Sequence, residues 1–190
     1  MLMKKLTLLF VLLLTLTTSA FALDFEFGLG SGYVLYGGKH VKSAINGFDQ
    51  KSQVILSTDV DMKMPVASVL NLTFGIDSIF DGRWKGSHHI YLWDYACSAG
   101  VDVYPGIGGL RCSVKYCLGR RTDFVNLPED DDIRSTDFGN GFEFAAGWDF
   151  GWGRSGLSPV VEAAWRHMPR GGASDNVLDL KLKLKIKTSN

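Results

Sequence analysis

The sequence has little of what stabilises most small disulfide-bonded or nucleic-acid-binding domains. Its three cysteines are an odd number and too few for a disulfide scaffold. Its 20 basic and 20 acidic residues cancel, so the net charge gives no support to nucleic acid as a partner. After Leu16 no apolar run reaches the roughly 20 residues that a membrane-spanning helix needs. If the mature chain enters a membrane, it must therefore do so with strands.

The N-terminal segment has the organisation of a secretory signal peptide. Lys4 and Lys5 precede an apolar stretch from Leu6 to Leu16, and Ala20-Phe21-Ala22 supplies the small residues that a signal peptidase requires. We therefore predict that residues 1–22 are removed and that residues 23–190 form a single domain. No cysteine follows the cleavage site, which argues against a lipid anchor.

Eight segments of the mature chain alternate apolar and polar residues. The plainest runs from Leu178 to Lys187, with Leu or Ile at every even position up to Ile186 and Asp or Lys between them. A period of two is typical of a strand whose two faces meet different environments. The eight predicted strands lie at residues 23–36, 53–62, 70–80, 91–103, 110–119, 138–150, 157–166 and 178–187. With no helical pattern between them, they predict an all-β, antiparallel up-and-down barrel.

The connectors between these strands alternate in predicted length. Those at residues 64–68, 104–108 and 151–156 are short and rich in Pro or Gly, whereas those at 37–50, 81–88, 120–137 and 169–176 are longer and polar. Strict alternation is typical of transmembrane barrels with short periplasmic turns and longer external loops. It predicts that both termini lie on the periplasmic side.

Alternation by itself does not decide which face is outside, since a soluble lipocalin-like binding barrel turns the apolar face inward. Two further patterns favour lipid outside. Glycines crowd the polar face, where a narrow interior needs small residues: Gly28, Gly30, Gly32, Gly75, Gly100 and Gly147. Aromatic residues near strand ends suit interfacial girdles: Phe80, Trp84, Tyr91, Trp93, Tyr104, Phe138, Phe150, Trp152 and Trp165. We therefore predict a transmembrane barrel and keep the soluble barrel as the alternative.

With a signal peptide, eight amphipathic strands and alternating connectors, the chain resembles small outer-membrane barrels of the OmpA, OmpX and OmpW type. The resemblance covers residues 23–190 and is architectural, so it implies a fold rather than an activity. It implies an outer-membrane location, contact with outer-membrane lipid, insertion by the barrel-assembly machinery and a monomeric state. For the barrel itself we predict a structural or surface-interaction role, with external ligands bound through the loops, or limited passive passage of small solutes.

With the apolar face outside, charged side chains turn toward the barrel interior. The predicted interior charge network consists of Asp24, Glu26, Asp59, Asp61, Asp77, Asp94, Asp102, Arg111, Lys115, Glu143, Glu162, Arg166, Asp179, Lys181, Lys183 and Lys185. Such charges are costly unless they are paired or hydrated. The strand order predicts the neighbours Glu162 and Lys181, Lys115 and Glu143, Arg111 and Asp102, and Arg166 and Asp179, and brings Lys183 and Lys185 toward Glu26 and Asp24. The network either lines a polar passage or interlocks to fill the interior.

No residue is predicted to be catalytic, and no cofactor or metal site is predicted. The competing hypothesis is a barrel enzyme that acts on lipid A, because His40, Asp77 and Ser78 are similar to a residue set of the lipid A palmitoyltransferase. Histidine is the natural base for acyl transfer. Against it, His40 lies in a predicted loop and Ser78 on the lipid-facing side of its strand.

The cysteines and one acidic run are the remaining candidates for a special role. Cys97 and Cys112 are predicted to face outward, nearly opposite each other on neighbouring strands, and Cys117 inward. Both a disulfide and simple packing fit the first two. The run from Glu129 to Asp132 is predicted to lie in the longest loop, where solvation is its ordinary role and calcium or an external ligand the alternative.

Overall fold

The computed structural model describes residues 23–128, 130–154 and 156–187, and for Asp130 it describes the backbone. Residues 1–22, to which the signal-peptide prediction applies, lie outside this part. Within it the chain forms nine strands and one helix: β1 Asp24–Leu35, α1 Lys39–Gly47, β2 Ser52–Ala67, β3 Leu70–Lys85, β4 His88–Val103, β5 Leu110–Leu127, β6 Asp130–Ser135, β7 Gly139–Asp149, β8 Gly156–Arg170 and β9 Ala173–Lys187.

The strands form one antiparallel sheet that closes on itself. Each of β1 to β4 pairs with the next strand, β5 pairs with β7, and β9 returns to β1. The short β6 pairs with the outer part of β5, directly beyond the part that pairs with β7. β6 and β7 therefore share one position in the wall, interrupted at residues 136–138, and the wall has eight positions. The predicted all-β, eight-stranded antiparallel up-and-down barrel is confirmed.

The strand registers set the tilt of the wall. A path of paired residues that leaves β1 at Asp24 crosses every position and returns to β1 at Val34, ten residues further on. This stagger accompanies a strand tilt of about 35–45° from the barrel axis. An eight-stranded barrel has an interior that is just wide enough to be filled by side chains.

Glycines on the interior face allow neighbouring strands to approach. A Cβ at Gly30 would lie 2.1 Å from the carbonyl oxygen of Leu180 on β9, and one at Gly100 would lie 2.1 Å from that of Val114 on β5. Both distances are shorter than any real Cβ contact, so a side chain at either position would push the two strands apart.

The two ends of the barrel differ from the predicted loops. At the end where β1 begins and β9 ends, called here the end that holds the termini, the connectors are residues 68–69, 104–109 and 150–155. At the opposite end, called here the outer end, β3–β4 and β8–β9 join through two residues each, and Gly86 and Gly171 take positive φ in these turns. The predicted long loops at 81–88, 120–137 and 169–176 are therefore wrong. The alternation fades there because exterior as well as interior positions include polar residues, such as Arg120 and Arg121 on β5. The acidic run belongs in part to β6, and its Glu129 lies outside the described residues.

The fourth predicted loop contains a helix that the sequence analysis missed. In α1, Val41 is buried and Ala44 and Ile45 pack against an apolar cluster of the barrel. Their spacing of three and four residues is helical. A single helix of nine residues gives too short a pattern to be distinguished from a polar loop.

The barrel is apolar outside and charged inside. The exterior residues Leu29 and Leu182 are 58% and 62% exposed, whereas the interior residues Asp61 and Lys183 are 0% and 1% exposed. A soluble barrel buries its apolar face, so the lipocalin-like alternative is wrong. Within the described ranges no helix is long and apolar enough to cross a bilayer.

Candidate functional site

The candidate site has two parts, the charged interior and the outer end that α1 covers. All sixteen residues of the predicted interior charge network are buried. The buried set is larger than predicted, and near the outer end it also contains Arg121, Asp123, Arg170 and Asp175. The structure thus places these charges together along the axis of one narrow interior.

Near the end that holds the termini, two cations bridge three carboxylates. The Nη1 atom of Arg111 donates to Glu26, 2.6 Å from Oε1, and its Nη2 atom contacts Glu162. Lys63 Nζ lies 2.9 Å from Glu26 Oε2 and also contacts Asp102. Arg111 lies on β5 and Glu26 on β1, four positions apart in an eight-position ring, so this ion pair crosses the interior.

In the middle of the barrel, lysines from opposite walls meet the same carboxylates. Lys183 Nζ on β9 lies 2.9 Å from Asp59, 3.0 Å from Asp61 and 2.7 Å from Glu162. Lys115 Nζ on β5 lies 3.0 Å from Asp61. Because Asp61 is shared between strands on two sides, the network joins the walls rather than lining them separately.

The predicted neighbour pairs describe only part of this network. Lys115 Nζ lies 3.3 Å from Glu143 Oε1 on the adjacent β7. Arg166, in contrast, donates across the interior to Asp94 at 2.8 Å, and not to the predicted partner Asp179. A long side chain in a narrow interior reaches strands that are not its neighbours. The order of the strands therefore predicts only some of the ion pairs.

A second charged layer near the outer end was missed by the sequence analysis. Arg170 donates to Asp94 at 2.6 Å and to Asp175 at 2.7 Å. Arg121 contacts Asp175 and donates to Asp123 at 2.6 Å. These residues fell in segments that were predicted to be loops. A signal was available, because Arg121 and Asp123 continue the odd-numbered interior positions of β5.

Beyond this layer, apolar side chains and α1 close the outer end. The closing cluster, called here the outer cap, consists of Val34, Tyr36, Val41, Phe48, Ile79, Ile90, Leu92, Val125 and Val177. The hydroxyl of Tyr36 donates to Asp81 Oδ2 at 3.0 Å. Burial and the nearby Asp81 carboxylate raise the pKa of Tyr36 well above its ordinary value, so this hydroxyl remains a donor.

Tyr104 closes the opposite end. Its ring stacks on Trp152 with centroids 4.1 Å apart, and its hydroxyl lies 3.2 Å from Lys185 Nζ, which donates to it. The side chain is 2% exposed, so the prediction that Tyr104 belongs to an exterior aromatic girdle is wrong. Tyr104 continues the even-numbered positions of β4, such as Asp102, which face the interior.

The residues of the lipid A enzyme hypothesis lie on three different surfaces. His40 is in α1 at the outer end, Asp77 is buried in the interior, where it accepts a hydrogen bond from Ser98, and Ser78 faces outward, where it accepts one from Trp93. The structure does not bring the three together. No three His, Cys, Asp or Glu side chains form a metal-binding group among the residues that the structure describes.

The cysteines do not form a disulfide. Cys97 and Cys112 are free and exposed on the exterior, and Cys117 is buried in the interior. Cys97 is paired with Leu118, six residues along β5 from Cys112, which corresponds to about 20 Å. Their predicted near-opposition is wrong, because Cys112 lies close to the β4–β5 turn and is paired with Val103, whereas Cys97 lies six residues further from that turn on β4.

The same barrel occurs in solved outer-membrane proteins. Ail, the attachment invasion locus protein of Yersinia pestis, in complex with the heparin analogue sucrose octasulfate, matches with a TM-score of 0.59 and 9% identity over 87% of this chain and 99% of Ail. Neisserial surface protein A matches with a TM-score of 0.50 and 10% identity over 88% of this chain and 97% of its own. No protein-family model and no curated protein matches the sequence. The likeness shows the fold, the transmembrane β-barrel of small outer-membrane proteins.

Proposed function

We propose that this chain is an exported outer-membrane protein whose barrel anchors an external binding surface. Residues 1–22 act as the signal peptide, and residues 23–190 insert as a monomer through the barrel-assembly machinery, with the termini in the periplasm. The exterior supports this, because exposed Phe, Leu and Ile side chains cover the wall. Such a surface would aggregate in water but is stable against lipid.

The filled interior is the observation that carries the proposal of an anchor. Ion pairs that cross the interior occupy its middle, Tyr104 occupies one end, and the outer cap occupies the other. Conduction requires a continuous polar path. Passive passage of small solutes is therefore the weaker alternative. The proposal includes no reaction, because the residues of the enzyme hypothesis lie on separate surfaces.

The outer end supports a surface-interaction role. Strands β3, β4 and β5 contain 16 to 18 residues, whereas a tilted strand crosses a bilayer with about 9–11. The β3–β4 and β5–β6 hairpins therefore extend beyond the lipid on the side where α1 lies. Ail has the same fold and was solved in complex with a heparin analogue, which supports ligand binding by a barrel of this kind.

Labelling of introduced cysteines on whole cells tests the location and orientation. In a background with Cys97, Cys112 and Cys117 replaced by alanine, Lys39→Cys at the outer end should react with a membrane-impermeant maleimide. Ile107→Cys, in an exposed turn at the opposite end, should react only after the outer membrane is permeabilised. The reverse pattern would contradict the proposed orientation, and equal reaction in a soluble periplasmic fraction would contradict membrane insertion.

Planar-bilayer recording tests the anchor against the channel. The purified full chain, inserted and shown to be folded by heat-modifiable gel migration, should give no conductance steps above background at any salt concentration. Reproducible unit steps from the folded protein would favour the passage of solutes. The interior charge network would then line a path instead of filling the barrel.

A further inference from the structure

The pairing of β1 with β2 stops before either strand ends. The last paired residues are Gly30 and Ser57, although β1 continues to Leu35 and β2 begins at Ser52. Beyond that point β1 pairs with β9, and β2 pairs with β3. One hydrogen bond, from the Ser31 hydroxyl to the Ile55 carbonyl oxygen at 2.6 Å, spans the start of the opening. The wall therefore has a lateral gap between two neighbouring strands.

This gap opens into a groove of about 390 Å³, which is within the usual size range of ligand sites, about 300–1,000 Å³. One wall is Tyr33 and Leu35 of β1, the other is Ile55 of β2, and Lys42 and Ile45 of α1 form the roof. The lining is therefore mixed: these apolar side chains stand beside the polar Asn46, Gln53 and Arg83, and the cation Lys42 lies on α1. We call this site the β1–β2 groove.

The groove lies at the outer boundary of the apolar exterior. On β9 the exterior residues change from Leu178 to Asn176 at the level where they pair with Tyr33 and Leu35. On β2 the exterior series likewise ends between Val54 and Ser52. In a membrane this boundary is where acyl chains meet headgroups. Backbone groups of unpaired strand edges must find polar partners at this level, because hydrocarbon offers none.

The charges at the rim indicate what covers the gap. Arg83, at the back of the groove, is already held by Asp81 at 2.9 Å. Lys42 is exposed, and within the described residues it has no acidic partner. An ammonium group beside a partly apolar groove at the headgroup level matches a negatively charged headgroup with an acyl chain below it.

We propose that the β1–β2 groove binds one anionic lipid of the outer leaflet, with an acyl chain against Tyr33, Leu35 and Ile55 and the headgroup phosphate at Lys42. The polar headgroup would lie over the unpaired strand edges and contact α1, so that its binding would be coupled to the outer cap. This inference depends on the membrane insertion in the proposed function, and the interior charge network takes no part in it.

Photolabelling from vesicles tests the groove directly. The full chain is refolded into phosphatidylcholine vesicles that contain phosphatidylglycerol with a diazirine on its acyl chain, and mass spectrometry locates the adducts. Adducts should concentrate at residues 33–36, 45–46 and 53–55 over the rest of the exterior. Excess unlabelled phosphatidylglycerol should remove them, whereas phosphatidylcholine or inorganic phosphate should not. Competition by phosphate alone would overturn the lipid proposal in favour of a simple anion site.

Matched variants of α1 separate the groove from general attraction to an anionic surface. Lys42→Gln removes one cation and should reduce the adducts in the groove about fivefold. Lys39→Gln, the same charge change at a residue that does not line the groove, should reduce them much less. Ile45→Trp should fill the groove and abolish them. Each variant is first shown to fold by heat-modifiable migration.

Two outcomes would overturn the proposal. One is even labelling of the exterior, and the other is an equal effect of Lys42→Gln and Lys39→Gln. Failure of the unsubstituted chain to insert at all would instead refute the membrane insertion itself, and the groove proposal would fail with it.

Discussion

Adjacent residues of β9 face opposite environments. Placing a charged residue at an exterior position and an apolar residue at an interior position therefore tests which face of the barrel is outside. Leu182 is the middle one of five exterior apolar residues of β9 and is 62% exposed. Lys183, next to it, is 1% exposed and lies within 3.0 Å of three carboxylates. We predict that Leu182→Arg and Lys183→Leu both destabilise the protein, for different physical reasons.

The magnitudes follow from the two environments. Leu182→Arg places a guanidinium near the centre of the apolar exterior, which costs about 2–4 kcal/mol in the free energy of unfolding. Lys183→Leu removes a shared cation from buried carboxylates, and breaking buried ion pairs costs about 3–5 kcal/mol. Because Asp61 keeps Lys115 and Glu162 keeps Arg111, we expect a loss near the lower value.

The control is Ile107→Arg. Ile107 is 61% exposed, almost the same as Leu182, but it lies in the turn between β4 and β5, beyond the apolar exterior. The expected cost there is about 0–1 kcal/mol. The free energy is measured by urea unfolding in phospholipid vesicles, with the folded fraction followed by tryptophan fluorescence and heat-modifiable migration. Equal stability of the two arginine variants, or an unchanged Lys183→Leu variant, would refute the assignment of faces.

Three further predictions concern the interior, the outer cap and the cysteines. Arg111→Met should lower the free energy of unfolding by about 3 kcal/mol, because two buried carboxylates lose their shared guanidinium. The same urea titration measures this loss. An unchanged free energy of unfolding would show that the Arg111 ion pairs do not stabilise the barrel. Tyr36→Phe should accelerate hydrogen exchange in α1, since removing the bond to Asp81 should weaken the cap by about 1–2 kcal/mol; unchanged exchange would contradict this. Cys97 and Cys112 should leave gel migration identical with and without reductant, and a reductant-sensitive shift would contradict the observed register.

The strands and their faces were predictable because the signal is local. Along β9, apolar and charged residues alternate from Leu178 to Lys187 without exception, and side chains of a strand alternate by backbone geometry. Placing Leu182 outside and Lys183 inside needs only this parity and the decision that lipid is outside. The sixteen interior charges could be named for the same reason.

The ends of the strands were less predictable because the environment there changes. Outside the lipid the exterior face of a strand meets water and includes polar residues, while the interior face stays buried and charged. The alternation therefore disappears although the strand continues, as in β5 beyond Gly119 and in the β8–β9 hairpin. Arg121, Arg170 and Asp175 were hidden in this way. Helix α1 was missed because its apolar face is only three residues wide and gains its stability from the barrel beneath it.

The sequence by itself determined the central part of each of the eight strands, the two faces of those parts and sixteen of the buried charges, because these follow from a period of two along one segment. Only the tertiary structure decided which charges meet. Arg111 and Glu26 are 85 residues apart in the chain, and they touch because ring closure with its fixed stagger sets β5 opposite β1. The closed ends and the β1–β2 groove also depend on tertiary structure. The ends are closed by residues from distant segments, and the groove forms where β1 and β2 are no longer hydrogen-bonded to each other.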